Sequence, residues 1–294
     1  MPTGRAAGFT MAALVAFAAN SWLCRFALRG GDIDPMSFTA LRLLSGAAVL
    51  WPLARALEPA GARGGSWPAG VALFVYALAF SLAYVSLDTG VGALLLFGAV
   101  QATMIGAGLS RGERLDARQW IGLLAALLGL GWLAAPGLAG PARAAPQGPT
   151  SWLAASLCMG TAGVAWGVYS LLGHGRPHPF ATTAGNFLRT VPLALVALAA
   201  AAPVQPGGHA TTKGVLLAAV SGALTSGIGY VLWHAALRDL TATTAGIVQL
   251  AVPALAAGGG VILLGERPTG RLVFAGALIL GGVALAVVRP PIRS

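Results

Sequence analysis

The sequence predicts an all-α membrane protein of ten transmembrane helices, arranged as two inverted five-helix repeats. Of its 294 residues, 57% are hydrophobic and only 9% are charged, whereas soluble domains carry roughly 25% charged residues. The charges stand in short clusters between apolar runs of about 20 residues, the length that a helix needs to cross the hydrocarbon core of a membrane. A Gly-Glu-Arg sequence also occurs twice between such runs, at 112–114 and at 265–267.

Ten apolar segments lie between the charge clusters, and we number them as spans 1 to 10 in chain order. They are residues 7–28, 35–56, 68–87, 91–110, 117–135, 152–172, 179–201, 213–236, 242–264 and 271–288. The longest connection follows the fifth span. We therefore expect a first five-helix repeat over residues 1–135, a linker over 136–150 and a second repeat over 151–294.

The two Gly-Glu-Arg sequences mark the halves as internal repeats. Glu113 and Glu266 are 153 positions apart, and neighbouring glycines and arginines match at the same offset. Since each half holds an odd number of spans, the second half must enter the membrane from the opposite side. Rocking such inverted repeats exposes a central site to each side in turn, which predicts alternating access. We interpret the Glu and Arg of each motif as interfacial charges that fix the depth of the spans.

The distribution of positive charge predicts the orientation. With the N-terminus in the cytoplasm, ten Lys and Arg residues face the cytoplasm and five face outside, as the positive-inside rule requires. Both termini are therefore expected in the cytoplasm of a multi-pass protein of a bacterial-type inner (plasma) membrane. The net charge of +10 comes without any run of five or more Lys or Arg, so we expect no nucleic-acid partner.

Catalytic and metal chemistry find little support in the sequence. Cys24 and Cys158 stand alone in apolar segments, and no disulfide framework or metal site can be built from them. No Gly-x-x-x-x-Gly-Lys-Ser/Thr motif is present, which argues against ATP hydrolysis. Ser221 and Ser226 precede His234 but lack the Gly-x-Ser-x-Gly context of a nucleophile. We expect no enzyme, no cofactor and no metal.

Several short motifs follow one another along the whole chain. They are DPMSFTALRLLSGA with Pro35 to Arg42, Gly-Glu-Arg in both halves, Pro253 in span 9, and the runs GLLAALLGLGWL and GALILGGVAL. In order and spacing the chain resembles the drug/metabolite transporter superfamily, specifically its EamA-type ten-helix exporters, and most of all the YddG-type aromatic amino acid exporters. The resemblance implies a cavity lined by spans 1, 3, 4, 6, 8 and 9. At the offset of 153 residues, the first-half equivalent of Pro253 is Val100, so only the second half has a proline at this place. This difference predicts an asymmetric gate at Pro253.

Aromatic side chains are the first candidates for contact with a substrate. Trp22 and Trp166 occupy matching places in spans 1 and 6, where a deep indole can stack on a substrate or simply pack. Tyr76, Phe80 and Tyr84 are spaced four apart and share one face of span 3. Because two hydroxyls in lipid would be unfavourable, we expect that face to line a wet cavity.

Polar side chains at membrane depth are the second group of candidates, because each needs a partner there. Gln101 and Gln249 lie in the corresponding spans 4 and 9, where an amide suits a zwitterionic amino acid and a neighbouring helix equally well. The remaining candidate substrate-binding residues are Asn186, Tyr169 and Tyr230.

Two arginines within spans have other interpretations. Arg42 lies toward the outer end of span 2, and we expect it to snorkel toward Asp32 or Asp34. Arg189 lies deeper, in span 7, on the same helix face as Asn186. For Arg189, a position facing the cavity and a structural position both remain open.

Together these features predict an exporter that moves amino acids, aromatic and other neutral ones, and related small metabolites out of the cytoplasm. One alternative is a multidrug or cationic-compound exporter, which should carry an acidic residue facing the cavity. Another is a non-transporting membrane assembly protein. The expected partners are amino acids or similar metabolites and the lipid bilayer, and small-residue patterns such as Ala125/Gly129 also permit a homodimer.

Overall fold

A computed structural model of the chain describes residues 4–29, 31–62, 64–87, 89–139, 149–201, 209–264 and 270–287. Within these ranges the backbone is helical apart from short connections and one isolated β-bridge, between Ile33 and Ala210. The elements are α1 (Gly4–Arg29), α2 (Pro35–Leu57), α3 (Trp67–Tyr84), α4 (Thr89–Ser110), α5 (Ala117–Ala139), α6 (Pro149–Gly173), α7 (Pro179–Ala201), α8 (Thr212–Val220), a π-helical segment called the π segment (Ser221–Ile228), α9 (Gly229–Ala236), α10 (Ala242–Gln249), α11 (Ala251–Leu264) and α12 (Gly270–Val287).

Six helices in the described ranges are long and apolar enough to cross a membrane: Gly4–Leu28, Pro35–Leu57, Trp67–Tyr84, Leu153–Gly173, Pro179–Ala201 and Thr212–Ala236. Three shorter apolar helices accompany them: Leu95–Ser110, Ala242–Ala256 and Val273–Val287. The predicted all-helical membrane class is thereby confirmed, while the count of ten spans, the cytoplasmic termini and the two repeats stay predictions. The second Gly-Glu-Arg motif and most of the linker lie outside the described residues.

Short polar side chains start several of the helices. Asp34 accepts hydrogen bonds from two backbone N–H groups in the first turn of α2, at 3.0 and 2.9 Å. Ser66, Thr211 and Thr241 each accept one such hydrogen bond at the start of α3, α8 and α10. These caps satisfy N–H groups that have no partner within the helix. They therefore define where each helix enters the apolar bundle.

Two predicted spans are interrupted in the structure. Span 8 contains the π segment between α8 and α9, and span 9 breaks at Leu250 between α10 and α11. Pro253 explains the second interruption, because its ring removes the N–H that would bond to the Gln249 carbonyl and clashes with that carbonyl. At the equivalent position, Val100, helix α4 is continuous. The predicted asymmetry of the two helices is therefore present, and its role as a gate stays a prediction.

The most extensive helix contacts join the first half of the chain to the second. Helix α5 packs on α12, α3 and α4 pack on α6, and α2 packs on α7 and on the π segment. Glycines allow these close approaches: a Cβ added to Gly163 would overlap the carbonyl oxygen of Leu96, and one on Gly282 would lie 2.5 Å from that of Gly122. Backbone thus packs on backbone, as small residues permit in membranes, and both halves share one buried core.

Candidate functional site

An aromatic cluster surrounds Trp166 in the middle of α6. Trp166 is 5% exposed, and its ring centroid lies 5.1 Å from that of Phe17, 4.9 Å from Tyr76 and 4.7 Å from Tyr230. These separations and the inclined ring planes are favourable for aromatic pairs. The partners come from α1, α3 and α9, so four helices meet at one indole. We call these four residues the aromatic cluster.

The indole N–H of Trp166 is anchored to the interrupted helix. Its Nε1 donates to Oε1 of Gln249 at 2.5 Å. The amide nitrogen of Gln249 donates in turn to the Ala245 carbonyl oxygen and to the Met104 sulfur, each at 3.1 Å. Gln249 is the last residue of α10, immediately before the break at Leu250. The aromatic cluster is therefore directly coupled to an irregular point of the backbone.

A narrow cavity lies beside the aromatic cluster. Its volume is about 30 Å³, which is room for about one or two water molecules. The wall consists of Phe17, Asn20, Ser21, Tyr76, Phe80, Leu96, Phe97, Trp166, Tyr230, Gln249 and Val252. No carboxylate belongs to this described wall. A molecule larger than one or two waters would fit here only after the surrounding helices had separated.

Arg42 of α2 lies behind this cavity and is 1% exposed. Its Nε donates to the Ser226 hydroxyl at 2.8 Å, and its Nη2 donates to the hydroxyls of Tyr230 and Tyr76 at 2.6 and 3.5 Å. The guanidinium carbon lies 5.4 Å from the ring centroid of Tyr76 and 5.8 Å from that of Phe80, within the range of cation–π attraction. A positive charge is therefore held against the aromatic wall.

The prediction that Arg42 snorkels toward Asp32 or Asp34 is wrong. Asp32 pairs with Nζ of Lys213 at 2.7 Å, while Asp34 caps α2. The Ser226 and Tyr230 hydroxyls that Arg42 contacts instead lie 184 and 188 residues further along the chain. Sequence distance alone favoured the nearby carboxylates, whereas the fold supplies partners from the π segment and α9.

Asn20 of α1 holds the π segment beside the cavity. Its Oδ1 accepts hydrogen bonds from the hydroxyls of Ser221, Thr225 and Ser226 at 2.7, 3.1 and 3.5 Å. Ser226 also accepts the bond from Arg42. A hydrogen-bonded network therefore connects the cavity wall to the guanidinium. This network also occupies the serines that were considered as nucleophiles.

The structure brings five of the predicted site residues to the cavity wall: Tyr76, Phe80, Trp166, Tyr230 and Gln249. Two others pack against that wall from outside. The ring of Tyr84 meets Phe80 edge to face at 4.6 Å, and the ring of Tyr169 lies 5.6 Å from Trp166 and 5.0 Å from His234. Contact of any of these residues with a substrate stays a prediction.

Three predicted site residues instead cross-link helices outside the cavity wall: Trp22, Gln101 and Asn186. Their side chains bond, respectively, to the carbonyl oxygen of Ala256 at 2.8 Å, the carbonyl oxygen of Gly246 at 2.6 Å and the N–H of Ser66 at 3.0 Å. For Gln101, bonding to a neighbouring helix was one of the two alternatives that the sequence left open. The structure shows that alternative.

Sequence reasoning missed part of the wall. Phe17 and Ser21 from α1, and Leu96 and Val252 from α4 and α11, carried no signal, because nothing separates them from other residues of their apolar helices. Arg42 did carry a signal, a charge within an apolar span. That signal was assigned to the wrong partners.

Arg189 lines a second, polar cavity rather than the aromatic one. This cavity, about 260 Å³, lies where the α2–α3 and α6–α7 connections meet. Arg189 Nη1 donates to the carbonyl oxygens of Gly185 and Gly64 at 2.6 and 3.4 Å. Close by, the carboxylate of Glu58 lies 2.8 Å from Nδ1 of His178. Together with the Asp32 and Lys213 pair, this places one carboxylate contact between the two halves at each end of α2.

Glu113, from the first Gly-Glu-Arg motif, caps the start of α10. Its carboxylate oxygens accept hydrogen bonds from the N–H groups of Ala242 and Thr243, each at 3.0 Å, and also from the Thr243 hydroxyl. Partial burial acts to raise the pKa of Glu113, but these hydrogen bonds outweigh it and hold the pKa below its ordinary value. The residue thus joins the α4–α5 turn to the interrupted helix, a contact beyond the interfacial role predicted for it.

We expect Glu113→Gln to destabilise the protein by about 1 kcal/mol near pH 7, as the loss of a helix cap does. Because folding lowers the pKa of Glu113, the carboxylate stabilises the fold above its unfolded pKa and loses this effect as pH falls through the folded pKa. Wild type should therefore lose more stability than Glu113→Gln as the pH falls from neutral through the folded pKa of Glu113. Thermal unfolding in detergent measures this difference, and equal acid sensitivity of the two proteins would contradict it.

Known proteins are similar to this chain in sequence and in fold. A family model described as the EamA-like transporter family matches residues 153–288. The Pseudomonas aeruginosa protein called Uncharacterized protein PA1977 is 49% identical over 289 residues, which cover 97% of this chain and 95% of that protein. A crystal structure of a protein with 22% sequence identity has a TM-score of 0.75 and covers 96% of both chains. At that identity it shows a similar fold alone.

Proposed function

We propose that this chain, which belongs to the EamA-like transporter family, exports amino acids, aromatic and other neutral ones, and related small metabolites from the cytoplasm. The family indicates a multi-pass membrane protein that transports small molecules and is not an enzyme. We further propose outward transport by alternating access, in the inner membrane of a bacterial cell. The YddG-type specificity for aromatic amino acids belongs to this proposal.

The cavity beside the aromatic cluster is the observation that carries the proposal. Its wall combines the rings of Phe17, Tyr76 and Trp166 with the amides of Asn20 and Gln249. Such a wall suits an apolar or aromatic side chain beside polar amino and carboxylate groups. The wall is built by α1, α3 and α4 from one half and by α6, α9, α10 and α11 from the other, which is the position expected of an alternating-access site.

Transport requires the helices to part on one side of the cavity at a time. The break at Leu250 and the π segment are the points where bending disturbs the fewest regular hydrogen bonds. Glu58 contacts His178 at one end of α2, and Asp32 contacts Lys213 at the other. In this mechanism each contact holds its side of the protein closed, and the two break alternately. Gln249 transmits the movement, because it joins the break to Trp166.

The described cavity wall gives less support to export of cationic drugs. An exporter of cations needs a negative group near its substrate, yet the described wall has no carboxylate. Arg42 adds a positive charge behind that wall, and its potential disfavours a second cation nearby. An acidic residue facing the cavity was the feature that this alternative predicted.

Counterflow in liposomes tests the proposal. Purified protein is reconstituted in vesicles loaded with an unlabelled amino acid, and uptake of labelled Phe, Trp, Thr, Met and Lys is compared with uptake into protein-free vesicles. We expect saturable exchange of Phe, Trp and other neutral amino acids. Exchange of a cationic dye without exchange of amino acids would overturn the proposal in favour of a drug exporter, and no flux of either would favour a non-transporting protein.

A further inference from the structure

Arg42 carries a buried charge that no carboxylate balances in the described part of the chain. The carboxylate contacts with basic side chains found there are those of Glu58 with His178 and of Asp32 with Lys213, and neither includes Arg42. A charged side chain within a transmembrane helix is unfavourable unless it is paired or faces a polar pathway. A protein that keeps such a charge beside a cavity has a site prepared for an anion.

The hydrogen bonds of Arg42 leave part of its guanidinium unused. Of its three nitrogens, Nε and Nη2 donate to the neutral hydroxyls of Ser226, Tyr230 and Tyr76. Nη1 is buried and has no hydrogen-bond partner among the described residues. Unpaired buried donors are rare because each loses its hydration without compensation. The Nη1 and Nη2 edge of a guanidinium matches the two oxygens of a carboxylate.

Side chains that contact the guanidinium also line the cavity. Tyr76 and Phe80, whose ring centroids lie 5.4 and 5.8 Å from the guanidinium carbon, both line the cavity. Tyr230, which accepts its shortest hydrogen bond, also belongs to the wall. A displacement of the Tyr76 and Tyr230 side chains would therefore bring Arg42 into contact with the cavity.

We propose that Arg42 binds the carboxylate of the transported molecule, with the substrate oxygens replacing the tyrosine hydroxyls on Nη2 and filling Nη1. This inference rests on the proposed transport function and adds its substrate class: small molecules with a free carboxylate beside an apolar or aromatic group. The same charge excludes the corresponding amides and amines, which carry a positive charge and no anionic group. The aromatic cluster holds the side chain, and Arg42 selects the head group.

The alternative is a purely structural role, in which Arg42 only joins α2 to α3, α9 and the π segment. The two roles differ in one measurable respect, the preference for a carboxylate. A structural arginine affects stability and the overall rate, whereas a carboxylate-binding arginine also determines which of two matched ligands competes. The test therefore compares ligands rather than rates.

Competition in the counterflow assay provides that comparison. Exchange of labelled Phe is competed with unlabelled Phe, 3-phenylpropionate and phenylalaninamide. In wild type, we expect Phe and phenylpropionate to compete at least about tenfold better than the amide. In Arg42→Gln the ratio of competition by the carboxylates to competition by the amide should fall to about one. Arg42→Lys should restore part of the preference. Arg189→Gln, which removes another intramembrane arginine outside the aromatic cavity, should keep the full preference.

Ligand-induced stabilisation decides the matter if a variant is inactive or if wild type moves no amino acid. A ligand that binds the folded protein raises its unfolding temperature, so Phe and phenylpropionate should stabilise detergent-solubilised wild type while phenylalaninamide does not.

Flux of Phe with equal competition by the amide would overturn the role of Arg42 and leave the exporter intact. Absence of flux would overturn the exporter, and stabilisation by carboxylates in wild type but not in Arg42→Gln would still support the anion site. If wild type does not distinguish the three ligands, the inference fails even where Arg42→Gln does not fold.

Discussion

Gly222→Ala should destabilise the protein by about 1–3 kcal/mol or more, the range for overpacking in a well-packed interior. Gly222 lies in the π segment against α2, and an added Cβ would overlap the carbonyl oxygen of Arg42 and the hydroxyl of Ser45. The carbonyl belongs to the backbone and has no rotamer by which to move away. The methyl group would therefore push α2 and the π segment apart at the point where Arg42 bonds to Ser226. We expect a lowered unfolding temperature in detergent and a reduced yield of folded protein.

Gly160→Ala is the matched control. Gly160 lies in α6, and a Cβ there would meet no atom within 4 Å. The intrinsic preference of alanine for helix then predicts equal or slightly higher stability. Both variants add one methyl group within a helical element, so only the local packing differs. Indistinguishable unfolding temperatures for Gly222→Ala, Gly160→Ala and wild type would show that α2 and the π segment are less tightly packed than the structure indicates.

Trp166→Ala should reduce amino acid exchange by at least about tenfold. The substitution removes the ring shared by the aromatic cluster and leaves Oε1 of Gln249 without its donor. Large aromatic to alanine changes in cores cost about 3–5 kcal/mol in stability, so Trp166→Phe is the more informative variant. It retains a ring but not the N–H, and we expect an intermediate rate with a smaller loss of stability. Counterflow rates normalised to the amount of folded protein in the vesicles measure the effect.

Trp120→Ala serves as the control for loss of an indole. Trp120 is 44% exposed on α5, far in sequence from the aromatic cluster, and its removal should leave exchange close to wild type. A double substitution, Trp166→Phe with Gln249→Leu, tests the hydrogen bond itself. If the bond matters, the two changes should be less than additive, because either one alone already breaks it. Full activity of Trp166→Phe would remove the indole N–H from the mechanism.

The all-helical class and the break in span 9 were predictable because their signals are local. Apolar runs, capping residues such as Asp34 and the proline at position 253 each act within a few residues, and the structure contains helices, caps and a break where those residues stand. The π segment was not predictable in this way. It depends on hydrogen bonds from its hydroxyls to Asn20, which is 201 residues away from Ser221.

The candidate site was predictable only in part, for a related reason. The residue types and their spacing of four selected Tyr76 and Phe80 as site candidates. A helix face that carries aromatic rings and hydroxyl groups needs a polar or aromatic partner inside the membrane. Type alone could not distinguish Gln249, which lines the cavity, from Gln101, which bonds to a neighbouring backbone carbonyl. The two amides differ in the helix that faces them. That difference is a property of packing between distant segments.

The distance along the chain between Arg42 and its partners also has a consequence for biosynthesis. When the first helices enter the membrane, Ser226 and Tyr230 have not yet been synthesised, because they lie 184 and 188 residues beyond Arg42 in the chain. Until they arrive, the guanidinium must find water, lipid phosphate or the insertion machinery. The first half of the chain should therefore accumulate to a low level in the membrane when it is expressed alone. Co-expression of the second half should raise that level, because the second half supplies the hydroxyls that hydrogen-bond to Arg42 of α2.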